Sequence, residues 1–181
     1  MLFLVFELDG ERYALDAREI VRVLPLQPVR AFAGTPPYIA GVIDHDGAPV
    51  PVVDLAMLAL GRPSRALMST RLVLVNDRDG AIAASGVDRS SADTSGVDTS
   101  PRCLALLLES ATRTQTIAAE AFAEGGIATP EARWLGPVAG DAHGFVQWVK
   151  VDQLLDARVR ALLFPDPPSW RGAATPGEFA R

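Results

Sequence analysis

Short apolar runs that end at turn residues or prolines recur along this 181-residue sequence and leave little room for long helices. Residues 3–8 and 12–15 form two such runs on either side of Asp9 and Gly10. An Asp-Gly pair between strand-like runs is a strong short-range signal of a β-hairpin. Residues 17–24 mix charges with β-branched side chains and are compatible with a helical turn or a strand. The start of the chain therefore predicts β-structure.

Prolines limit the segment that follows. Those before the second pair of runs are Pro25, Pro28, Pro36 and Pro37. They exclude regular helix there, because proline breaks a helix in its interior. Strand-like runs at residues 38–43 and 50–55 then flank a turn at residues 44–47, which predicts a second hairpin. Pro49 and Pro51 remove two backbone donors, so we expect this strand at a sheet edge or with those positions facing outward.

The second half of the chain repeats the order of the first. Its strand-like runs are residues 71–75, 103–109, 136–138 and 146–149. Both halves also end with an aspartate just before leucines, at Asp54 and near Asp152. An internal echo of this kind indicates duplicated units. We therefore predict two small β-barrels in tandem, at residues 12–68 and 69–150, with the N-terminal strand shared between them.

Two segments depart from the strand pattern. Residues 77–102 are rich in Ser, Asp, Gly, Thr and Ala and have no apolar period, which predicts a flexible insertion. Near the C-terminus, apolar residues follow the i, i+3, i+4, i+7 spacing of an amphipathic helix, with Asp152 and Asp156 in its first turns. These apolar positions are 151, 154, 155, 159, 162 and 163. Prolines end the helix, and residues 165–181 predict a disordered tail in which Trp170 is a candidate docking residue.

The composition disfavours several classes of protein. Hydrophobic residues make up 49% of the chain, which is enough for a core without disulfides or metals. The net charge of −5 is opposite to the basic field of a nucleic-acid-binding protein. The apolar residues 1–6 meet charged residues at once, which is typical of a strand rather than a signal peptide or membrane span. We expect a cytoplasmic protein with no nucleic-acid partner and no direct membrane insertion.

Groups that could carry catalysis are scattered. The single cysteine, Cys103, lies in an apolar run and predicts a small buried side chain. His45 and His143 each lie in a turn segment, with no second histidine or cysteine at a metal-ligand spacing. The sequence has no glycine-rich phosphate-binding motif. Trp148 predicts core packing, and Trp134 predicts a cover over one barrel end. We expect no cofactor and no enzymatic activity.

Three functions stay open on these grounds. The first is protein recognition through edge strands, proline-restricted loops and the cleft between the barrels. The second is a small barrel that binds a ligand or nucleic acid, which the acidic charge and the few strand aromatics disfavour. The third is an enzyme that uses Asp44, His45 and Asp46, although Asp-x-Asp-Gly is also a common turn sequence. Binding of protein partners would separate the first function from the other two.

The order of the motifs resembles that of the CheW-type chemotaxis coupling proteins. The matching segments are FLVF at 3–6, YAL at 13–15, TPPYIAGVI at 35–43, VPVVDL at 50–55, LALLLE at 104–109 and VKVDQLL at 149–155. The resemblance runs from residue 2 to residue 163 and leaves out the insertion. It implies a non-enzymatic adaptor, all-β, made of two interlocked SH3-like five-stranded β-barrels. Its partners would be the cytoplasmic hairpin tip of a chemoreceptor and the regulatory domain of a CheA-type histidine kinase.

The resemblance also implies site residues. The receptor-binding positions would be Ile20, Arg22, Ile43 and Asp46, and the kinase-binding positions Gly41 and Leu135. Members of the family usually carry Asn-x-Arg-Gly where this chain has residues 44–47, and often an acid at position 22. Both charges are inverted here, as if a pair had been exchanged while its attraction was kept. We expect Arg22 and Asp46 to lie together at the receptor groove and to set partner choice.

Three further segments are similar to one branch of the family. They are WLGPV at 134–138, GFVQWV at 144–149 and VRALLF at 159–164. These segments, the insertion and the inverted charges resemble the WspB-like couplers of surface-sensing Wsp systems, whose kinase feeds a regulator that makes cyclic-di-GMP. The resemblance implies an alternative chemosensory array.

Overall fold

The computed structural model describes residues 1–77, 102–124 and 131–165. Within these residues the chain forms eleven strands and two α-helices. The strands are β1 Leu2–Leu8, β2 Glu11–Asp16, β3 Ile20–Pro25, β4 Ile39–His45, β5 Ala48–Asp54, β6 Arg71–Asn76, β7 Cys103–Leu108, β8 Arg113–Thr116, β9 Phe122–Ala123, β10 Leu135–Asp141 and β11 Gly144–Val149. The helices are α1 Leu55–Leu60 and α2 Ala157–Leu163. Nearly all of the predicted insertion and tail, with Trp170, lies outside the described residues.

Both predicted hairpins are confirmed. Strands β1 and β2 join through Asp9 and Gly10, with φ angles of 49° and 89°. Strands β4 and β5 join through Asp46 and Gly47, with φ angles of 53° and 82°. Positive φ at both central residues is typical of a type I′ turn, whose twist matches that of the flanking strands. The ambiguous segment before β3 forms a short 3₁₀ turn at Ala17–Glu19 and then a strand.

The strands form two sheets. One has the order β8-β1-β2-β11-β10-β9, and the other has the order β3-β6-β7-β5-β4. The second sheet has the five strands expected, whereas the first gains a sixth from the two-residue strand β9. Most neighbours are antiparallel, but β5 with β7 and β2 with β11 are parallel pairs. The five-stranded sheet contains strands from both sides of residue 68, the predicted boundary between the two barrels. The subdomain boundaries stay a prediction.

Each sheet closes around an apolar interior of its own. All five strands of the five-stranded sheet contribute to one cluster, which contains Leu24, Ile43, Val50, Val52, Leu72, Leu74, Ala105 and Leu107. Arg22 on β3 also lies 4.0 Å from Asp46 at the end of β4, although β3 and β4 are the outer strands of that sheet. The six-stranded sheet encloses Phe3, Ala14, Ile117, Ala139 and Val146. The fold is therefore two small β-barrels, as predicted.

The largest apolar cluster lies between the two barrels. Strands β1, β6 and β7 are buried on both faces, which explains why they are continuous apolar runs in the sequence. Their side chains in this seam include Leu4, Phe6, Val73, Val75 and Leu106. Trp134 is buried in the same cluster rather than covering a barrel end. The cleft expected between the barrels is thus filled by apolar side chains at its centre.

Two predictions about elements are wrong in part. Strand β5 is not at a sheet edge, because it lies between β7 and β4. Its prolines are tolerated because pairing with β7 begins only at Val52, so they precede the two-sided part of the strand. The C-terminal helix starts at Ala157, after a 3₁₀ turn at Val151–Gln153, rather than at the first apolar position. Asp156 caps this helix by accepting a hydrogen bond from the Val159 N–H.

Two side chains are less buried than predicted. Cys103, at the start of β7, is only half-buried against the interior of the five-stranded barrel. Trp148 is half-buried and contacts the rings of Phe3 and Phe122. Both residues are therefore packed without being enclosed.

Helix α1 has no amphipathic pattern in the sequence, because all six of its residues are apolar and only Asp54 separates them from the apolar residues of β5. Its caps are nonetheless visible. Asp54 precedes the helix and accepts a hydrogen bond from the Met57 N–H at 3.1 Å, and Gly61 ends it with a φ of 69°. Aspartate and glycine are preferred residues at these two positions. The cap pair thus marks a helix that the apolar pattern alone assigns to a strand.

We expect Asp54→Ala to lower the free energy of unfolding by about 2 kcal/mol, measured by urea denaturation. The buried carboxylate of Asp54 also accepts hydrogen bonds from the Ser64 N–H at 2.9 Å and the Ser64 hydroxyl at 2.6 Å. Asp156→Ala is the matched control, because it removes a helix cap with one such bond, and it should cost about 1 kcal/mol. Equal losses for the two variants would contradict the prediction.

Candidate functional site

The four predicted receptor-binding residues separate into an exposed charged pair and two packed isoleucines. Arg22 and Asp46 have side-chain exposures of 57% and 79%. Ile43 faces the interior of the five-stranded barrel, and Ile20 is half-buried against the seam between the barrels. Only the charged pair can therefore reach a partner with freely accessible side chains. We call Arg22, His45 and Asp46 the charged corner.

Turn geometry holds the charged corner together. The Asp44 carboxylate accepts a hydrogen bond from the Gly47 N–H at 2.9 Å, which fixes the type I′ turn that carries Asp46. A guanidinium nitrogen of Arg22 lies 4.0 Å from the Asp46 carboxylate, and Nε2 of His45 lies 3.6 Å from the same oxygen. The expected proximity of Arg22 and Asp46 is thus present. Two basic side chains share one carboxylate at this end of the barrel.

The same geometry disfavours an enzyme built on Asp44, His45 and Asp46. The Asp44 carboxylate is occupied by its own turn, and His45 contacts the exposed Asp46 rather than a buried partner. Within residues 1–77, 102–124 and 131–165, no group of three or more acidic, histidine or cysteine side chains is arranged to hold a metal ion. Both barrel interiors are filled by side chains, which also disfavours a ligand-binding barrel.

An open groove of about 630 Å³ adjoins the charged corner. Its lining residues are Pro28, Val29, Arg30, Val42, Ile43, Asp44, Gly47 and Pro49. Arg30 and Val42 exchange two backbone hydrogen bonds of 2.9 Å, which tie the connection before β4 to that strand. The next antiparallel pair would need an N–H from Pro28, which proline lacks. The connection therefore leaves β4 at this point and opens the groove.

Strand β3 and the connection between β3 and β4 carry exposed apolar side chains that the sequence reasoning missed. They are Val21 and Val23 on β3 and, in the connection that follows, Leu26 and Phe32. Strand β3 is an outer strand of its sheet, so it has a hydrogen-bonded neighbour on one side only. Exposed apolar residues are typical of protein interaction surfaces where they lie together. The sequence signal that could have identified them is a set of apolar residues that the buried core does not use.

The two predicted kinase-binding residues lie in different sheets. Gly41, on β4, is buried, and a Cβ atom there would overlap the carbonyl oxygen of Arg30. Leu135, on β10, is half-buried and lines a small groove of about 120 Å³ on the six-stranded barrel. That groove is also lined by Phe145, which is 74% exposed and was not predicted. The structure does not bring Gly41 and Leu135 together, and their role in binding a kinase stays a prediction.

The carboxylates with strongly shifted pKa values lie away from the charged corner and are saturated with donors. Burial raises the pKa of Glu109, but hydrogen bonds from Arg62 and Arg65 outweigh this effect and hold it at about 2. Hydrogen bonds from Arg12 and Gln115 hold the pKa of Asp141 far below its usual range. Such groups keep their charge and their partners. They favour a structural role over acid–base catalysis.

Comparisons with known proteins place the chain in a family. In the described parts of the chain, no helix is long and apolar enough to span a bilayer. The fold is similar to the crystal structure of the scaffolding protein TtCheW from Thermoanaerobacter tengcongensis, with a TM-score of 0.67 and 17% identity over 87% of this chain and 89% of that one. No curated protein matches the sequence significantly. The family model of the CheW-like domain matches residues 2–159, and the chain therefore belongs to the CheW-like domain family.

Proposed function

We propose that this protein is a non-enzymatic adaptor that couples chemoreceptors to a CheA-type histidine kinase in the cytoplasm. The observation that carries the proposal is the match of nearly the whole chain to the CheW-like domain. Proteins of this family are adaptors, and the described residues of this chain offer exposed apolar and charged surfaces. Its function would then be to hold two partners at once.

The two partners need separate surfaces. The charged corner, with Arg22 and Asp46, is our candidate contact for the receptor's cytoplasmic hairpin tip. Ile20 and Ile43 stay predicted receptor contacts, although both pack against apolar clusters. The kinase regulatory domain would use positions around Gly41 and Leu135. We further propose that the array belongs to a Wsp-type surface-sensing system whose output is cyclic-di-GMP, on the basis of the segments at residues 134–138, 144–149 and 159–164.

Reconstitution from purified components tests the proposal. The full chain, a soluble fragment of a chemoreceptor hairpin tip and the kinase regulatory domain are mixed, and the complexes are separated by size-exclusion chromatography. We expect this protein to bind each partner alone and to bring both into one ternary complex. An adaptor role is refuted if the protein binds neither partner.

Reversal of one charge at the corner should weaken receptor binding. We expect Arg22→Glu to raise the Kd for the hairpin tip about tenfold, measured by calorimetry, because it removes a cation from the contact and places an anion near Asp46. Arg158→Glu, a reversal at an exposed position on α2, is the matched control and should leave Kd unchanged. The double exchange Arg22→Glu, Asp46→Arg restores the internal pair but should not restore binding. Wild-type affinity in the double variant would refute a role in partner choice.

A further inference from the structure

Phe145 is the most exposed aromatic side chain among the described residues, and the proposed function gives it no role. It lies near the start of β11, is 74% exposed, and pairs across the hairpin with Gly140 on β10. A Cβ atom at Gly140 would meet the edge of the ring at 3.7 Å, so the ring already covers that glycine. An aromatic ring opposite a glycine stabilises a strand pair. Most of the Phe145 ring nevertheless stays in contact with water.

The turn before Phe145 is fixed by hydrogen bonds to two other strands. The Asp141 carboxylate accepts bonds of 2.7 and 2.9 Å from the Arg12 guanidinium on β2, and one of 2.8 Å from the Gln115 amide on β8. It also accepts a 2.7 Å bond from the His143 N–H within the turn. A side chain on a fixed turn loses less conformational entropy on binding than one on a loose loop. Phe145 is therefore a preorganised apolar side chain.

A groove of about 120 Å³ lies beside Phe145 on β2, β10 and β11. Its apolar wall consists of the half-buried side chains of Tyr13, Leu135 and Val138. An apolar cavity of about 150 Å³ can bind benzene, so a groove of this size has room for one aliphatic side chain. At its rim Arg12 is already paired with Asp141, whereas Glu11 is exposed. The groove thus matches an aliphatic side chain that has a cation next to it.

The position of the groove favours one of the two partners. Leu135, one of the two residues that the family resemblance assigns to kinase binding, lines it. The charged corner lies on β3 and at the β4–β5 turn of the other barrel, so a domain on the groove and a receptor tip at the corner share no strand. An adaptor must hold both partners at once. The groove is therefore better placed for the kinase than for the receptor.

We propose that Phe145 is the anchor of the kinase contact: the groove beside it takes an aliphatic side chain of the regulatory domain, and Glu11 pairs with a basic residue next to that side chain. This inference rests on the proposed function, because it takes the kinase from there as the partner. Phe145 would lie in the core of the interface and Glu11 at its rim, which is the usual arrangement of aromatic and charged groups.

Calorimetry with the purified kinase regulatory domain tests the anchor in the full chain. We expect Phe145→Ala to raise the Kd about twentyfold, as for a residue that dominates an interface, and to leave the Kd for the receptor-tip fragment unchanged. Leu162→Ala is the matched control, because it truncates another exposed apolar side chain, on α2, and should leave both Kd values unchanged. If Phe145→Ala lowers the Tm but binds the kinase domain as the wild type does, the ring only stabilises the hairpin and the inference is overturned.

Glu11→Gln tests the charged part of the contact. We expect it to raise the Kd for the kinase domain about threefold at low salt, and this difference to shrink in about 0.5 M salt, because salt screens exposed charges. Asp46→Asn is the control, since it removes an exposed carboxylate from the other barrel and should not alter kinase binding. An unchanged Kd for Glu11→Gln at low salt would contradict a basic partner residue at this rim.

The remaining outcomes separate the anchor from the proposed function. A wild-type protein that does not bind the regulatory domain contradicts both the kinase coupling and the anchor. Wild-type binding that Phe145→Ala leaves intact overturns the anchor alone and supports the coupling. Sedimentation of the protein by itself checks for another occupant of the groove. A dimer of this chain that Phe145→Ala dissociates, with unaltered kinase affinity, would assign the groove to a second copy and overturn the inference.

Discussion

Glu109→Ala is expected to lower the free energy of unfolding by about 3 kcal/mol, because it removes the centre of a buried ion network. The Glu109 carboxylate is fully buried and accepts hydrogen bonds of 2.7 Å from the Arg62 side chain and of 2.7 Å from the Arg65 backbone. Both arginines also pair with Asp9 in the β1–β2 turn. Without Glu109, Arg62 and Arg65 lose their buried anion and keep only the half-exposed Asp9 as an ion-pair partner. Urea denaturation with circular dichroism measures the loss.

The same network predicts a dependence on pH. The pKa of Glu109 is held at about 2, below its ordinary value of 4.5. A carboxyl group with a lowered pKa in the folded state stabilises fully above the unfolded value, and this stabilisation is lost as the pH falls through the folded value. The wild type should therefore lose this contribution between about pH 4.5 and pH 2. The stability of Glu109→Ala should fall less steeply over that window.

Asp9→Asn is the control for Glu109→Ala. It removes a charge from the same network, yet asparagine tolerates the positive φ of 49° at this turn position. Asp9 is half exposed, so its ion pairs should contribute much less to stability than those of the buried Glu109. If Asp9→Asn destabilised the protein as much as Glu109→Ala, the effect would belong to surface charge rather than to a buried anion.

Local signals in the sequence predict the hairpins because a type I′ turn needs only two residues with positive φ, and Asp-Gly supplies them. The parallel pairs of β5 with β7 and of β2 with β11 have no such signal, since they join strands distant along the chain. Helix α1 is hidden for a related reason: six apolar residues after an apolar strand show no change of period. Two-barrel organisation could thus be predicted, whereas the interleaving of the strands could not.

The candidate site, too, could be predicted only in part from the sequence. The proximity of Arg22 and Asp46 could be expected from the resemblance. Both positions carry the opposite of the charge that is usual in the family, and a simultaneous exchange of this kind indicates that the two side chains are in contact. The inward direction of Ile43 depends on the face that β4 presents to the barrel, and the pattern of that strand leaves this open because it is apolar at neighbouring positions. The involvement of His45 requires the turn geometry, since sequence adjacency alone does not place two side chains on one carboxylate.

Gly41→Ala is expected to lower the free energy of unfolding by about 3 kcal/mol and to detach the connection before β4. Gly41 has a φ of 142°, which favours glycine, and a Cβ atom there would overlap the backbone carbonyl of Arg30. That carbonyl accepts a hydrogen bond from the Val42 N–H, so relief of the overlap requires the connection to leave the strand. Hydrogen exchange at Arg30 and Val42 should become fast, and urea denaturation measures the loss.

Gly47→Ala separates the two causes of destabilisation in Gly41→Ala, which are the positive φ and the overlap with the Arg30 carbonyl. Gly47 also has a positive φ, 82°, but a Cβ atom there would meet no neighbour within 4 Å. It should cost about 1 kcal/mol for the backbone conformation alone and leave exchange at Arg30 slow. The contrast bears on the predicted kinase contact at Gly41. If Gly41→Ala weakens kinase binding in proportion to the detachment of the connection, the partner touches the groove edge that Gly41 permits. If kinase binding is lost while the connection stays paired, the contact involves β4 at Gly41 itself.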